Sequence, residues 1–234
     1  MRKSKLYKKQ VEILGDLQMQ HTTEEAFALL KQMPAVKFDQ TVEVAIKLGI
    51  DTRKSDQTVR GAVALPAGTG KNVRVAVVAE GAQAEEAKAA GADLVGMDDL
   101  VQQIKEGFLD FDVLISTPEA MKMVRPLGRQ LGPRGLMPNP KTGTVTDAVG
   151  NAVREAKSGR AEFRADRGGC VHVPLGKLSF EVAALKENFD AVADAIIKAK
   201  PASAKGTYVI SCTVSATMTP GVKVNVKELT RSAK

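Results

Sequence analysis

The hydrophobic pattern of this chain changes character twice, and these two changes limit the folds that the chain can adopt. Gln40–Leu48 alternates apolar and polar side chains, which predicts a half-buried strand. Val73–Ala79 is a nearly continuous apolar run, typical of a strand buried on both faces of a parallel sheet. Alternation returns after Ser158 and Gly159. We therefore predict an α+β unit built from both chain ends and interrupted by an inserted α/β unit.

The two end segments predict strands backed by helices. We expect a strand at Thr58–Leu65 to pair antiparallel with Gln40–Leu48. Arg160–Asp166 and Cys170–Pro174 flank the turn residues Arg167–Gly169, which predicts a hairpin. Three helices are predicted. One is Lys5–Gln20, the second begins at the capping box of Thr22 and Glu25 and stops at Pro34, and the third is Ser179–Lys200. The remaining predicted strands are Thr207–Thr217 and Val222–Val226.

The middle segment alternates short strands with short helices, as a doubly wound layered domain does. The predicted strands are Val73–Ala79, Leu94–Val95 and Phe111–Ile115. Two helices are predicted at Ala82–Ala90 and Asp98–Glu106. A third, short helix is capped by Thr117 and has Pro118 at its first position, and a fourth is capped by Asp147 and runs to Lys157. Leu65–Lys71, rich in glycine, is predicted to be the linker that leads into this segment.

Net charge supports the same division of the chain. The formal net charge is +7 at pH 7, with +3 in residues 1–66, −1 in residues 67–159 and +5 in residues 160–234. Basic residues are therefore concentrated at the two ends, which favours an anionic partner. We expect one discontinuous domain from residues 1–66 and 160–234, and an inserted domain from residues 67–159.

One stretch of the middle segment is strongly basic. Arg125–Thr146 contains four glycines, four prolines and no acid, so it cannot sustain a long helix or a central strand. Its four bases are Arg125, Arg129, Arg134 and Lys141. A shaped cationic loop suits a polyanion, and the alternative is a solvated connector.

Motifs for catalysis and for cofactors are weak. Glu80–Ala84, after the apolar run, contains one glycine, too few for a dinucleotide fingerprint. Gly68–Lys71 resembles part of a phosphate-binding loop, but it precedes a strand, and Leu65 and Asn72 stand where that motif needs Gly and Ser or Thr. The two histidines lack metal-ligand spacing. We predict no catalytic residue, cofactor, metal or small-molecule substrate; the alternative is a nucleotide-binding protein or enzyme that uses the α/β segment.

Composition indicates the compartment. Two cysteines, Cys170 and Cys212, in apolar alternating runs predict a reducing environment without a disulfide framework. No apolar run reaches about 18 residues, and the segment after the basic start is too polar for a signal peptide. We expect a cytoplasmic protein without a membrane partner. Aromatic residues make up 4% of the chain and Trp is absent, which argues against a base-stacking platform.

The end segments combine bases, hydroxyls and turns. Ser211, Thr213 and Ser215 recur at a period of two, so they project from one face of a strand. The basic and flanking residues are Lys37 and Phe38 before a strand, Arg53 and Lys54 in a turn, Arg164, Arg167 and His172 at the hairpin, and the turn Thr217–Gly221. Each feature alone is typical of a solvated surface. Together they suit recognition of the RNA backbone and its 2′-hydroxyl groups.

These residues lie in segments that resemble a known family. LGIDTRKSDQTVRGAVALPAGTG, AKPASAKGTY and above all LGPRGLMPNPKTGTVT are similar to the L-one family of large-subunit ribosomal proteins in its bacterial form. The resemblance covers nearly the whole chain. It implies a discontinuous α+β sandwich from both chain ends and an inserted, Rossmann-like, three-layer α/β domain. It also implies binding to the ribosomal RNA of the mobile side stalk, help in releasing deacylated tRNA from the exit site, and repression of the protein's own operon mRNA.

Carried over by position, the resemblance implies a set of RNA contacts and shows a few departures. The implied contacts are Lys37, Phe38, Thr41, Arg53, Lys54, Arg164, Asp166, Arg167, His172, Ser211, Thr213, Thr217 and Met218. Thr219, Ala165 and Ala216 stand where the family usually has Gly, Asn, and Ser or Thr. We expect a secondary RNA contact at Arg125, Arg129, Arg134 and Lys141, and a regulatory RNA binder outside the ribosome remains an alternative.

Overall fold

The computed structural model describes residues 4–34 and 36–229. The N-terminal part forms α1 (Lys5–Leu14), β1 (Gln20–His21), α2 (Thr23–Gln32), β2 (Thr41–Leu48) and β3 (Arg60–Ala64). The middle part forms β4 (Val75–Val78), α3 (Ala82–Ala89), β5 (Leu94–Gly96), α4 (Asp98–Lys105), β6 (Val113–Ser116), α5 (Met121–Val124), α6 (Gly128–Leu131) and α7 (Val149–Gly159). The C-terminal part forms β7 (Arg160–Arg164), β8 (Cys170–Lys177), α8 (Val182–Lys198), β9 (Val209–Ala216), β10 (Val222–Val224) and α9 (Val226–Leu229). The predicted mixed α/β class is confirmed.

The described residues group into two compact units. The first contains those up to Gly70 together with those from Ala161 onward, and the second contains Lys71–Arg160. The main sheet of the first unit has the strand order β1-β10-β9-β2-β8, in which β1 and β10 are parallel and the other pairs are antiparallel. β2, from the N-terminal part, therefore lies between two strands from the C-terminal part.

Helices cover one face of this sheet. The apolar members of the β2 alternation, Val42, Val44, Ile46 and Leu48, are at most 1% exposed and share one core with side chains of α2 and α8. α2 begins at the predicted capping box, in which the Thr22 hydroxyl accepts from Glu25 N at 3.3 Å and Thr22 N donates to the Glu25 carboxylate at 3.0 Å. Each large buried side chain stabilises the fold by about 1.5–3 kcal/mol. The other face of the sheet carries the polar members of the alternation.

Two strand pairings differ from the prediction. β3 does not pair with β2, because β8 and β9 occupy both edges of β2; it pairs with β7 in a separate two-stranded sheet. The prediction that Arg160–Asp166 and Cys170–Pro174 pair as a hairpin is also wrong, since β7 and β8 lie in different sheets. Its turn exists, with an isolated antiparallel bridge between Ala165 and Val171.

The predicted linker Leu65–Lys71 is anchored rather than free along most of its length. Asn188 of α8 is fully buried, and its side-chain amide accepts from Ala67 N at 3.0 Å and donates to Gly68 O at 2.9 Å and to Leu175 O at 2.6 Å. At Gly70, with φ +66°, a Cβ atom would lie 2.9 Å from both Lys177 Cγ and Phe180 Cζ. The segment therefore belongs to the first unit as far as Gly70.

The second unit is a three-layer arrangement. Its parallel sheet has the order β5-β4-β6, and Val145 extends it through a parallel bridge to Ser116. Val75 and Val77 of β4 pack in one core with α3 and α7, whereas Ala76 and Val78 pack in another with α4, α5 and α6. Since all four residues of β4 are buried, the continuous apolar run correctly predicts a strand covered on both faces.

Several element ends differ from the predictions for local reasons. α1 stops at Leu14 instead of Gln20 because Gly15 takes φ +71°. Asp147 does not cap α7, which begins at Val149 after Ala148; the Thr146 hydroxyl accepts from Ala148 N instead. β8 continues past Pro174 to Lys177, since Pro is tolerated in an edge strand. Among the described residues, every helix is too short or too polar to cross a bilayer.

Candidate nucleic-acid interface

The uncovered face of the five-stranded sheet, called here the open face, is organised by the alternation of β2. Thr41, Glu43, Ala45 and Lys47 project from it because their neighbours Val42, Val44, Ile46 and Leu48 point into the core. The register places side chains of β8, β9 and β10 beside them in four rows. The rows are Lys177, Thr41 and Thr217; Pro174, Glu43 and Ser215; His172, Ala45, Thr213 and Lys223; and Cys170, Lys47 and Ser211.

The open face is large enough for a folded RNA element. The four rows run from Thr41 to Lys47 of β2, six residue steps or about 20 Å, and across three strand spacings, about 14 Å. Five of the predicted contacts lie on it, namely Thr41, His172, Ser211, Thr213 and, at its end, Thr217. Ser215 lies there too, as its period of two with Ser211 and Thr213 predicts. Side chains that sequence reasoning did not assign also lie there: Glu43, Lys47, Lys177 and Lys223. The alternation of β2 would have found Glu43 and Lys47, because it places them on the same face as Thr41.

The end of the open face at Thr41 is closed by two loops bonded to each other. Thr41 N donates to the Thr217 hydroxyl at 3.2 Å, and Thr217 N donates to Thr41 O at 3.1 Å. The buried Gln40 side chain accepts from Met218 N at 2.8 Å. Phe38 and Met218 nevertheless remain 53% and 52% exposed. The bond to Gln40 thus holds Met218 exposed beside a row of hydroxyls, and Phe38 precedes Gln40 by two residues.

Thr219 completes the turn after β9 without strain. Its hydroxyl accepts from Ala216 N at 2.8 Å and donates to Ala216 O at 3.3 Å, and its own N–H also donates to Ala216 O at 3.1 Å. Among the described residues, each one with positive φ is a glycine. This turn therefore accepts Thr where the resembling family usually has Gly.

The opposite end of the open face, near Lys47, is formed by the turn Asp166–Gly169. Asp166 Oδ1 accepts from Cys170 N at 2.8 Å, and Gly169 N donates to Asp166 O at 3.0 Å. The hydrogen bond from Cys170 N is the main cause that lowers the pKa of Asp166, with Gly168 N, His172 and Lys47 adding to it. Lys47 Nζ donates to Gly168 O. The Asp166 carboxylate therefore shapes the turn that presents Arg167.

A second basic turn is joined to the first one. Thr52, next to Arg53 and Lys54, donates its hydroxyl to Arg167 O at 2.7 Å. The turn is closed by Lys54 N on Asp51 O at 3.1 Å, and Arg53 N donates to the Asp51 carboxylate at 3.2 Å. A small pocket of about 120 Å³ lies between the two turns and is lined by Thr52, Thr58, Arg164, Ala165, Asp166 and Arg167. Its volume is well below that of pockets for drug-sized ligands.

The predicted contacts thus fall into three groups along β2. Thr41, His172, Ser211 and Thr213 lie on the open face; Lys37, Phe38, Thr217 and Met218 lie at or beyond its Thr41 end; and Arg53, Lys54, Arg164, Asp166 and Arg167 lie at its Lys47 end. Within the described part of the chain, no ion pair is formed by Lys37, Arg53, Lys54, Arg164 or Arg167. The cations at both ends of the open face are therefore available for phosphate.

The basic stretch of the second unit is more regular than a loop. Consecutive helical turns run from Met121 to Leu131, where Leu127 and Leu131 are buried and Arg125 and Arg129 are exposed one turn apart. At Gly132, a Cβ atom would meet Gly128 O at 2.6 Å, so glycine permits the tight end of this run. Arg134 is also exposed; the side chain of Lys141 lies outside the described part of the structure.

The second unit shows little that would suit a cofactor. At the carboxyl end of β4, where doubly wound folds bind ligands, the turn into α3 offers Gly81 as its one glycine. Among the residues that the structure describes, no group of three His, Cys, Asp or Glu side chains is placed to hold a metal ion.

Comparison with known proteins identifies relatives over most of the chain. Residues 29–220 match the model of the ribosomal protein L1p/L10e family. The chain is 60% identical over 205 residues to the large ribosomal subunit protein uL1 of Methylobacillus flagellatus, covering 88% of this chain and 89% of the relative. It is 56% identical to that of Chromobacterium violaceum, with the same coverage, and 54% identical to that of Chlamydia pneumoniae, covering 93% and 94%.

Proposed function

The chain belongs to the ribosomal protein L1p/L10e family, whose members are structural ribosomal proteins rather than enzymes, and from this premise we propose that it binds the ribosomal RNA of the mobile side stalk on the large subunit. The alternative of a nucleotide-dependent enzyme is accordingly wrong. The observation that carries the proposal is the open face, a sheet surface of hydroxyls and lysines with cationic turns at one end and exposed apolar residues at the other.

The division of labour follows from the chemistry of each part. Arg53, Lys54, Arg164 and Arg167 carry fixed positive charge on bonded turns, so they neutralise phosphates and supply affinity. The hydroxyls of the open face donate and accept hydrogen bonds, so they recognise 2′-hydroxyl groups and base edges. Phe38 and Met218 provide apolar contact with a ribose or with a base at the Thr41 end.

The same surface supports the finer proposals. Repression of the protein's own operon mRNA requires an RNA that reproduces the shape of the stalk site, and it would use the same contacts. Assistance in releasing deacylated tRNA from the exit site requires the stalk to move with the protein attached. We place the protein in the cytoplasm, on the ribosome. Arg125, Arg129, Arg134 and Lys141 would supply a secondary, sequence-independent RNA contact.

Motion between the two units is part of the proposal. The first unit holds the chain as far as Gly70, and α7 passes into β7 without an intervening residue at Arg160. Bending would therefore be confined to Lys71 and Arg160 and their neighbours. Crystals of the free and RNA-bound protein should show different angles between the units; equal angles would contradict this hinge.

Sedimentation tests ribosomal function directly. The tagged protein should travel with large subunits at moderate salt and should leave them when the stalk RNA is deleted. A protein that remains at the top of the gradient with intact ribosomes would favour a regulatory RNA binder outside the ribosome. Filter binding to the stalk RNA fragment and to a random RNA of equal length then gives the specificity ratio.

A further inference from the structure

The open face carries one acidic residue among its four rows, and this residue stands near their centre. Glu43 lies on β2 between Pro174 of β8 and Ser215 of β9, with Thr41 and Ala45 as its neighbours along the strand. Its side chain is exposed. A carboxylate at this place repels phosphate at short range, so it is unexpected on a surface whose other charged side chains are basic.

No group of the protein neutralises this carboxylate within the described residues. Neither a hydrogen bond nor an ion pair is formed by Glu43, and the nearest lysines on the open face are directed elsewhere. Lys177 Nζ donates to the Thr41 hydroxyl at 3.0 Å, and Lys47 Nζ donates to Gly168 O at the far end of the face. The carboxylate oxygens therefore keep their full capacity to accept hydrogen bonds from a ligand.

A β-bulge in the neighbouring strand β8 lies beside Glu43. The register between β2 and β8 shifts between Val42 and Glu43, so that Val42 pairs with Gly176 and Glu43 with Pro174, which leaves Leu175 as the extra residue of a bulge. Bulges redirect side chains and are frequent beside functional sites. Pro174 also offers no N–H that could compete for the carboxylate.

We propose that Glu43 determines RNA specificity, by accepting a hydrogen bond from a donor on the RNA and by excluding phosphate from the centre of the open face. This inference rests on the proposed function, because it requires that the open face binds RNA. The donor is either the exocyclic amino group of a base or a 2′-hydroxyl, both of which pair with carboxylate oxygen. Phosphates are then restricted to the cationic turns and to the Thr217 end.

The variant Glu43→Gln tests the proposal, because the proposal predicts that the affinities for two RNAs change in opposite directions. Gln removes the negative charge and adds an NH₂ group that can donate a hydrogen bond to phosphate. Affinity for the stalk RNA should fall about threefold to tenfold, since a charged hydrogen bond is weakened. Affinity for random RNA should rise about twofold, since one repulsive charge is removed. Filter binding at one fixed salt concentration measures both.

Glu187→Gln is the matched control. Glu187 is exposed on α8, which packs against the covered face of the sheet, so this variant makes the same change of charge away from the open face. It should raise the affinity for both RNAs equally and slightly. If Glu43→Gln behaves like Glu187→Gln, or changes neither affinity, the proposed role of Glu43 is wrong although RNA binding stands.

RNA variants distinguish the two donors. Stalk RNA with single 2′-deoxy substitutions, or with inosine in place of guanosine, removes one donor at a time. The substitution that removes the partner of Glu43 should weaken wild-type binding but should not weaken binding by Glu43→Gln further. A wild-type protein that binds stalk and random RNA equally would instead refute the proposed function itself, before Glu43 is considered.

Discussion

The two larger sheets of this protein, one in each unit, differ in how many of their faces are covered. The parallel sheet of the second unit is packed on both sides, so all four residues of β4 serve the cores. The five-stranded sheet of the first unit is packed on one side, which leaves every second residue of β2 for another purpose. The uncovered face therefore distinguishes the first unit as the candidate for binding, beyond its net charge.

The bases of the two units also differ in whether they form ion pairs. The second unit contains several ion pairs, for example Lys71 with Asp112 at 2.9 Å and Lys157 with Asp93 at 3.2 Å. At the Lys47 end of the open face, no ion-pair partner is present for Arg53, Lys54, Arg164 or Arg167 among the residues that the structure describes. Lys71, Arg74, Lys157 and Arg160 are thus paired within the second unit, whereas the bases of these turns in the first unit remain available for a ligand.

The largest expected effect is the dependence of RNA binding on salt. If the open face and its turns engage about six to ten phosphates, affinity for stalk RNA should fall about 10³- to 10⁵-fold between 50 and 200 mM salt. The second unit expressed alone should bind far more weakly throughout this range. A nearly flat salt dependence of the whole protein would contradict phosphate binding by the unpaired bases.

The two thiols report on the covered and uncovered faces of one sheet. Burial raises the pKa of Cys212 to about 12 from an ordinary value of 9.0, so at pH 8 its thiolate should be about a thousandfold rarer than that of an ordinary thiol. Cys170, partly exposed on the open face, should therefore react first with a thiol reagent. Stalk RNA should slow this fast reaction, and Cys170→Ser should abolish it. Two thiols labelled at equal rates would mean that the sheet is not covered as described.

Thr217→Val should reduce binding to stalk RNA by about fivefold to a hundredfold and binding to random RNA much less, because it removes a hydroxyl at a shaped site. Lys54→Ala should weaken both RNAs similarly, since a phosphate contact carries no sequence information. Because the Thr217 hydroxyl also bonds Thr41, thermal unfolding must be compared with wild type. Equal losses on both RNAs for both variants would contradict the division between hydroxyls and bases.

The smallest expected effect concerns the second unit. Replacing Arg125 and Arg129 together with Ala should lower the slope of log affinity against log salt by about 1.4–1.8, if each neutralises one phosphate. Lys88→Ala, on exposed α3, serves as the control and should leave the slope unchanged. An unchanged slope in the double variant would limit RNA binding to the first unit.

Local patterns predicted the elements that depend on local chemistry. The alternation of β2, the apolar run of β4 and the capping box at Thr22 all appear as expected, since each is decided by neighbours in sequence. The pairing of β3 was missed because it depends on β8 and β9, which occupy both edges of β2 from distant parts of the chain. Periodicity identifies a strand but does not identify its partner.

The candidate site was predicted unevenly for a similar reason. Hydroxyls and bases attract attention as RNA ligands, so Thr213 and Arg167 were assigned, whereas Lys177 was missed because β8 was expected to end at Pro174. Asp166 was assigned as a contact, and this stays a prediction; the structure adds that its Oδ1 accepts a hydrogen bond from Cys170 N. Whether a polar side chain is occupied or available depends on tertiary neighbours, which no motif contains.

The position of β2 also has a consequence for biosynthesis. Its two partners, β8 and β9, begin at residues 170 and 209, long after β2 ends at Leu48. The parallel sheet of the second unit needs contacts only within Lys71–Arg160, and it can therefore form on the nascent chain while β2 still has both edges exposed. The open face, which we propose binds RNA, would be completed only when the C-terminal strands emerge, after the parallel sheet has formed.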